Sequence, residues 1–92
     1  AEVVKAVQRV SSETRRPLFI GEFGAPGTPG ADKARAEFTA ILTAIESNGV
    51  PLSAFWVFDH DPQDAKWNVT PGNGRAYMLK LVAEANGRMR LR

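Results

Sequence analysis

Pro17-Leu18-Phe19-Ile20-Gly21-Glu22-Phe23, read together with Leu52-Ser53-Ala54-Phe55-Trp56-Val57-Phe58, decides the fold. Both stretches are short and almost continuously apolar, and Pro17 is tolerable only at the first position of a strand, so they read as strands. Continuous apolar runs of this length suit strands buried on both faces, the habit of parallel sheets. The segment joining them agrees. Gly24 to Gly30 holds three glycines and two prolines and reads as a loop. Asp32 then offers a helix N-cap, and Ala34, Phe38, Ile41, Leu42 and Ile45 repeat at i, i+4, i+7, i+8 and i+11, the clearest helical stripe in the chain. Asn48-Gly49 stops that helix. Strand, crossover helix and parallel strand make a βαβ unit.

Outward from this unit, residues 2 to 12 place Val3, Val7 and Val10 at i, i+4 and i+7 with Glu2, Lys5, Gln8 and Arg9 on other faces, which predicts an amphipathic helix. Asp59 to Gly72 is a long polar loop. A last helix from Asn73 to Asn86 carries Tyr77, Met78, Leu81, Val82 and Ala85, with Gly87 as its stop. The expected class is α/β, in the order helix, strand, helix, strand, helix, within a single domain spanning residues 1–92. Two parallel strands leave two unpaired edges, and apolar edges are templates for another chain. Association is therefore expected from the fold itself.

The 92 residues leave roughly 5,200 Å² exposed in a compact monomer, enough for one small core. That excludes two domains, and it excludes a closed single-chain (β/α)₈ barrel, which needs about 200 residues or more. With 43% hydrophobic and 24% charged residues the chain lies far from the composition of disordered proteins. Cysteine is absent, so neither a disulfide framework nor a thiolate metal site supports the core. Arg88, Arg90 and Arg92 exceed the whole net charge of +2 and read as a solvated tail. No basic stripe interleaved with aromatics runs through the folded part, so no nucleic-acid partner is expected. Val50 to Phe58, the longest apolar run, is too short to span a bilayer, so no membrane partner is expected. No charged-then-apolar signal peptide opens the chain at Ala1, and the compartment stays open.

Ligands of parallel α/β folds bind at the carboxyl ends of the strands, where Glu22 and the group Asp59-His60-Asp61 fall. Strict alternation along the first strand puts Leu18, Ile20 and Glu22 on one face, so the carboxylate ends an apolar row at the rim, a setting for catalytic carboxylates. A rim glutamate in a local salt bridge meets the same pattern. Trp56 shares a face with Phe58 and reads either as a flat apolar platform or as ordinary core packing. His and Asp neighbours on an extended segment point to opposite faces, so Asp59-His60-Asp61 reads as a polar rim and no metal is expected. Asn68-Val69-Thr70 meets the N-glycosylation pattern, with Pro71 unfavourably placed after it. Gly72-Asn73-Gly74 does not follow a strand, lacks the third glycine of a dinucleotide loop, and reads as a turn with a cap.

Pro17-Leu18-Phe19-Ile20-Gly21-Glu22-Phe23-Gly24, followed about thirty residues later by Ala54-Phe55-Trp56-Val57-Phe58-Asp59, resembles strands 7 and 8 of glycoside hydrolase family 5, the cellulase and mannanase type of (β/α)₈ barrel. The helix before and the two helices after fall in place as helices 6, 7 and 8 of that family, so the resemblance covers nearly the whole chain. Gly-Glu-Phe-Gly is weak by itself, and the tryptophan strand at the right separation makes the match fairly specific. The resemblance implies a partial barrel in which Glu22 is the nucleophile of a retaining enzyme and Trp56 lines the sugar subsite next to the cleaved bond. It implies that His60 and Asp61 lie in a loop contacting substrate, that the partner is an oligo- or polysaccharide, and that no cofactor takes part. Members of the family are often secreted. A retaining glycosidase also needs a second carboxyl group about 5 to 5.5 Å from the nucleophile as acid and base. The family carries it in an Asn-Glu pair after strand 4, and this chain contains no Asn-Glu pair and nothing of strands 1 to 6.

Two classes of function stay open. One is a hydrolase of β-linked polysaccharide of the cellulose or mannan type, with Glu22 as nucleophile. The other is a non-catalytic, self-assembling or carbohydrate-binding barrel fragment that has lost the acid/base half of the site. Two strands per chain require four chains for eight strands, so a homo-tetramer is the favoured assembly, with a separate complementing fragment as the other source of strands. In such a ring the helix at residues 2–12 and the C-terminal helix of the neighbouring copy compete for one groove.

Overall fold

The computed structural model describes residues 2–26, 31–58, 60 and 67–90. Within them the chain is mixed α/β. Helix α1 (Glu2–Thr14), strand β1 (Phe19–Phe23), helix α2 (Ala31–Ser47), strand β2 (Leu52–Phe55) and helix α3 (Tyr77–Arg90) follow one another in the expected order. The two strands form a parallel two-stranded sheet joined through α2. None of the described helices is long and apolar enough to cross a membrane.

Helix ends follow local rules. Arg15, just past α1, takes a left-handed conformation with φ 59°, and the Arg16 N–H reaches back to the Ser11 carbonyl at 3.2 Å. At the end of α2 the same role falls to Gly49, with φ 63°, while the Val50 N–H donates to the Ile45 carbonyl at 3.1 Å. Glycine occupies that conformation without steric cost, which is why Asn48-Gly49 stops the helix where expected. The last helix differs from expectation at both ends. Residues 73 to 76 form turns in place of the first α-helical turn, because the Asn73 side chain accepts the N–H groups of Arg75 and Thr70 at 2.9 and 3.3 Å. Gly87 does not stop α3, which runs through it to Arg90.

Helix α2 is the centre of the packing. Its predicted stripe is the buried one: Ala34, Phe38, Leu42 and Ile45 are inside, with Ile41 half-buried. Phe38 lies in ring contact with both strands, stacked on Phe23 with centroids 5.6 Å apart and edge-on to Phe55 at 6.2 Å. Such pairs add about 0.5 to 1.5 kcal/mol each beyond the area they bury. One cluster joins Phe38, Leu42, Val69, Met78 and Ala85, tying α3 to α2. A second joins Val4 of α1 to Ala44, Ile45 and Val50, with Leu18 and Ile20 packed against it. The Arg35 guanidinium, 4.1 Å above the Tyr77 ring, adds a cation–π contact between α2 and α3.

Two expectations about burial are corrected here. The strands are not buried on both faces: Phe19 is 57% exposed and Leu52 62% exposed, while Ile20, Phe23 and Phe55 face the helices. One layer of helices can cover one face of a sheet, and within this chain nothing described lies over the other. Likewise α1 buries Val4, and Val3, Val7 and Val10 stay exposed, because the surface available beside α1 is that of α2 and β1. The chain exposes 6128 Å², about 900 Å² more than the roughly 5,200 Å² of a compact monomer of its mass. Its radius of gyration is 13.7 Å against about 12.3 Å for a compact domain of this length.

Phe38→Ala should cost about 3 to 5 kcal/mol, since both ring contacts and the helix-to-sheet contact go with it. Val3→Ala, on the exposed stripe of α1, should stay within about 0.5 kcal/mol. Urea unfolding followed by circular dichroism measures both; equal losses would contradict this placement of the core.

Candidate functional site at the strand ends

The register of the sheet positions Glu22. Phe19 pairs with Leu52 and Ile20 with Ser53, but the next partners are Phe23 and Phe55, so three steps on β1 oppose two on β2. The extra residue is a bulge. It exists between two residues that both pack on the helix layer, Ile20 and Phe23, and it leaves Gly21 and Glu22 exposed together. The row Leu18, Ile20, Glu22 expected from strict alternation is therefore not kept: Leu18 and Ile20 pack against the helices and Glu22 does not. Stacking of Phe23 on Phe38 sets this outcome, since without the bulge Phe23 would turn away from α2.

Trp56 follows β2 directly, and its N–H donates to the Phe23 carbonyl at 2.7 Å, extending the sheet by one bond past the strand. The half-buried Trp56 ring lies 5.9 Å from the His60 ring at an angle of 58°. The peptide bond between Trp56 and Val57 is cis. Beyond it the chain is paired with a returning segment: the Val69 N–H donates to the Val57 carbonyl at 2.8 Å, and Phe58 and Val69 form a parallel bridge. His60 is held through its backbone, whose N–H donates to the Asn68 side chain at 2.7 Å.

Gly24 is the close-packed point of the site. A Cβ built there lies 2.6 Å from the Trp56 carbonyl oxygen and 3.4 and 3.6 Å from two carbons of the Trp67 ring. No side chain fits between these groups, so the turn after β1 can approach β2 only as glycine. Gly24, Trp56, His60 and Trp67 thus gather at the carboxyl ends of the two strands, with Glu22 two residues before Gly24, near the end of β1. Of the four site residues expected from sequence, Glu22, Trp56 and His60 fall in this region. Asp61 lies outside the described residues, as does Asp59.

The sequence patterns assign no role to Arg75 or Trp67. Arg75 is buried, donates from Nη2 to the Ala25 carbonyl and to the Met78 sulfur, and so ties the turn after β1 to the start of α3. Burial pushes its pKa down, with the charge of Tyr77 acting in the opposite sense. No signal short of the fold marks it, because nothing in Gly74-Arg75-Ala76 distinguishes a buried arginine from a solvated one. Asn68 carried a signal of a different kind, the glycosylation pattern. It is 7% exposed with its side chain engaged, so the folded chain does not present it for modification. The turn read in Gly72-Asn73-Gly74 is found, with the Asn73 Oδ1 accepting the Arg75 N–H and its Nδ2 on the Asn68 carbonyl at 2.8 Å, but Asn73 caps no helix, since α3 begins four residues later at Tyr77.

Comparison of the chain with protein-family models, with curated protein sequences and with solved structures finds no match.

Gly24→Ala should cost about 1 to 3 kcal/mol, because the methyl group forces the Trp56 carbonyl and the turn apart. Gly72→Ala, at an exposed position with nothing within 4 Å of the added carbon, should be close to neutral. The two variants are compared by urea midpoint and by tryptophan emission; Gly24→Ala at wild-type stability would refute the close approach.

Proposed function

We propose that the chain is the nucleophile-bearing part of a (β/α)₈ barrel of the family 5 glycoside hydrolase type, acting on β-linked polysaccharide of the cellulose or mannan kind. The observation that carries this reading is the exposed carboxylate of Glu22 at the carboxyl end of a parallel strand, with Trp56 just past the end of the strand beside it. In this reading the Glu22 carboxylate attacks the anomeric carbon as the glycosidic bond breaks, and the leaving oxygen takes its proton from a second carboxyl group. Water then cleaves the glycosyl ester with that second group as base. The Trp56 ring, backed by His60, is the apolar face on which a pyranose stacks. The acid/base group must come from other strands, so catalysis depends on completing the barrel.

A second reading is a non-catalytic assembly or carbohydrate-binding fragment. It is favoured by the open face of the sheet, where Phe19 and Leu52 are exposed, and by Phe58 at 52% exposure just beyond it. A cavity of about 280 Å³, of mixed polar and apolar lining, lies against Phe55 of β2 and Val82 and Met89 of α3, with Ser53 and Asn86 among its polar groups. The excess exposed area of about 900 Å² compares with the ~800 Å² that each partner contributes to a standard interface. Copies of this chain, four for eight strands, or a complementing fragment would cover it.

Release of reducing sugar from cellulose or mannan separates the two readings. If hydrolysis occurs, Glu22→Gln should abolish it, because the amide keeps the shape and cannot serve as nucleophile; undiminished turnover would move the chemistry elsewhere. If the chain binds oligosaccharide, Trp56→Ala should weaken binding with a loss of the sugar-induced emission shift, whereas unchanged binding with a large loss of stability would assign Trp56 to packing. Light scattering over a dilution series tests the association: a compact 10 kDa species at micromolar concentration would refute it.

A further inference from the structure

The side chain of Asn68 has a use that its sequence context does not suggest. Its Oδ1 accepts the His60 N–H at 2.7 Å, the Asn73 Nδ2 holds its own carbonyl at 2.8 Å, and the next residue, Val69, donates to Val57 at 2.8 Å. A buried acceptor with these partners is fixed in direction, since only the oxygen of the amide can receive an N–H. The chain leaving β2 is thereby pinned at two points, Val57 and His60, by one short returning segment. Between those points and β2 sits Trp56, whose ring has His60 as its neighbour at 5.9 Å. Fixing the His60 peptide fixes where its Cα stands beside the indole and so limits the positions open to the imidazole.

We propose that Asn68 is a positioning residue that holds His60 against Trp56 and so shapes the aromatic surface at the carboxyl end of β2. The use of that surface for a sugar ring rests on the carbohydrate reading above; the positioning itself does not. Asn68 does not touch the ligand in this arrangement. Its effect reaches the surface through the His60 backbone.

The test uses the whole chain labelled with ¹⁵N, observed by NMR, with cellohexaose and mannohexaose as probes. In the wild type the His60 amide should be protected from exchange and the His60 and Trp56 rings should show a mutual NOE. Asn68→Ala should remove the ring NOE and speed His60 amide exchange about tenfold, the scale of one hydrogen bond, while the NOEs between Phe23 and Phe38 persist. Asn68→Asp retains an acceptor at the same reach and should restore both signals, and Asn68→Leu, of similar volume with no acceptor, should lose both, which a merely space-filling role for Asn68 does not predict. Affinity for the oligosaccharides, read from tryptophan emission, should follow the ring NOE. If Asn68→Ala fails to fold, the wild-type protection and the Asn68→Asp variant decide. A His60 amide that exchanges freely in the wild type, or a ring NOE that survives in a folded Asn68→Ala variant, overturns the proposal. No emission response to either sugar in the wild type would instead overturn the carbohydrate reading, leaving the NOE and exchange results to judge Asn68.

Discussion

Phe38 is the contact on which the other features depend. One ring on the middle of α2 meets Phe23 of β1 and Phe55 of β2, so the crossover helix is locked to both strands at once. Keeping Phe23 in that contact requires an extra residue in β1, and the bulge that supplies it leaves Glu22 exposed. Keeping Phe55 in it ends β2 in a position where Trp56 can donate to the Phe23 carbonyl. The candidate site is thus a consequence of aromatic packing on the opposite side of the sheet. A small core with no disulfide has few other means of setting such geometry.

The same packing defines what is left open. Helices α1, α2 and α3 occupy one side, and all of the described apolar clusters lie between them and the sheet. Among the described residues the strands are covered on one face only. Polar contacts between elements do little to compensate: the Arg88 Nε bonded to both Glu46 oxygens at 2.8 and 3.0 Å links α3 to α2, but an exposed ion pair of this kind contributes little. The glutamate raises the Arg88 pKa by hydrogen bonding to its charged form.

Past β2 the organisation changes from apolar packing to short-range polar contacts. Asn68, Asn73 and Thr70 bond mainly to nearby backbone, and Arg75 reaches across to the Ala25 carbonyl. These bonds give the returning segment a defined path beside Val57 and Phe58 where no long strand is available. Gly24 completes the contact from the β1 side, against the Trp67 ring of that segment. Two different physical devices therefore meet at the strand ends, one setting the strands and one setting the loop against them.

Element order, the parallel pairing and the buried stripe of α2 were legible from the sequence, because periodicity, proline and glycine act locally and each points to one backbone conformation. Glu22, Trp56 and His60 could be named as candidates for the same reason, from their places at strand ends. The face on which Glu22 lies was not legible: alternation presumes an unbroken ladder, and the bulge arises from a contact between residues 23 and 38 that no local pattern contains. Nor could the sequence show that Val4 rather than Val3, Val7 and Val10 is the buried valine of α1, since an apolar stripe tells which face can be buried and not which neighbour is there to bury it. Gly87, a helix stop by its residue type, lies inside α3 because packing of Ala85 and Met89 on the core carries the helix past it. The tertiary structure decided these points because each depends on residues far apart in the chain meeting in space, where packing outweighs the few tenths of a kcal/mol to about 1 kcal/mol that local preference supplies.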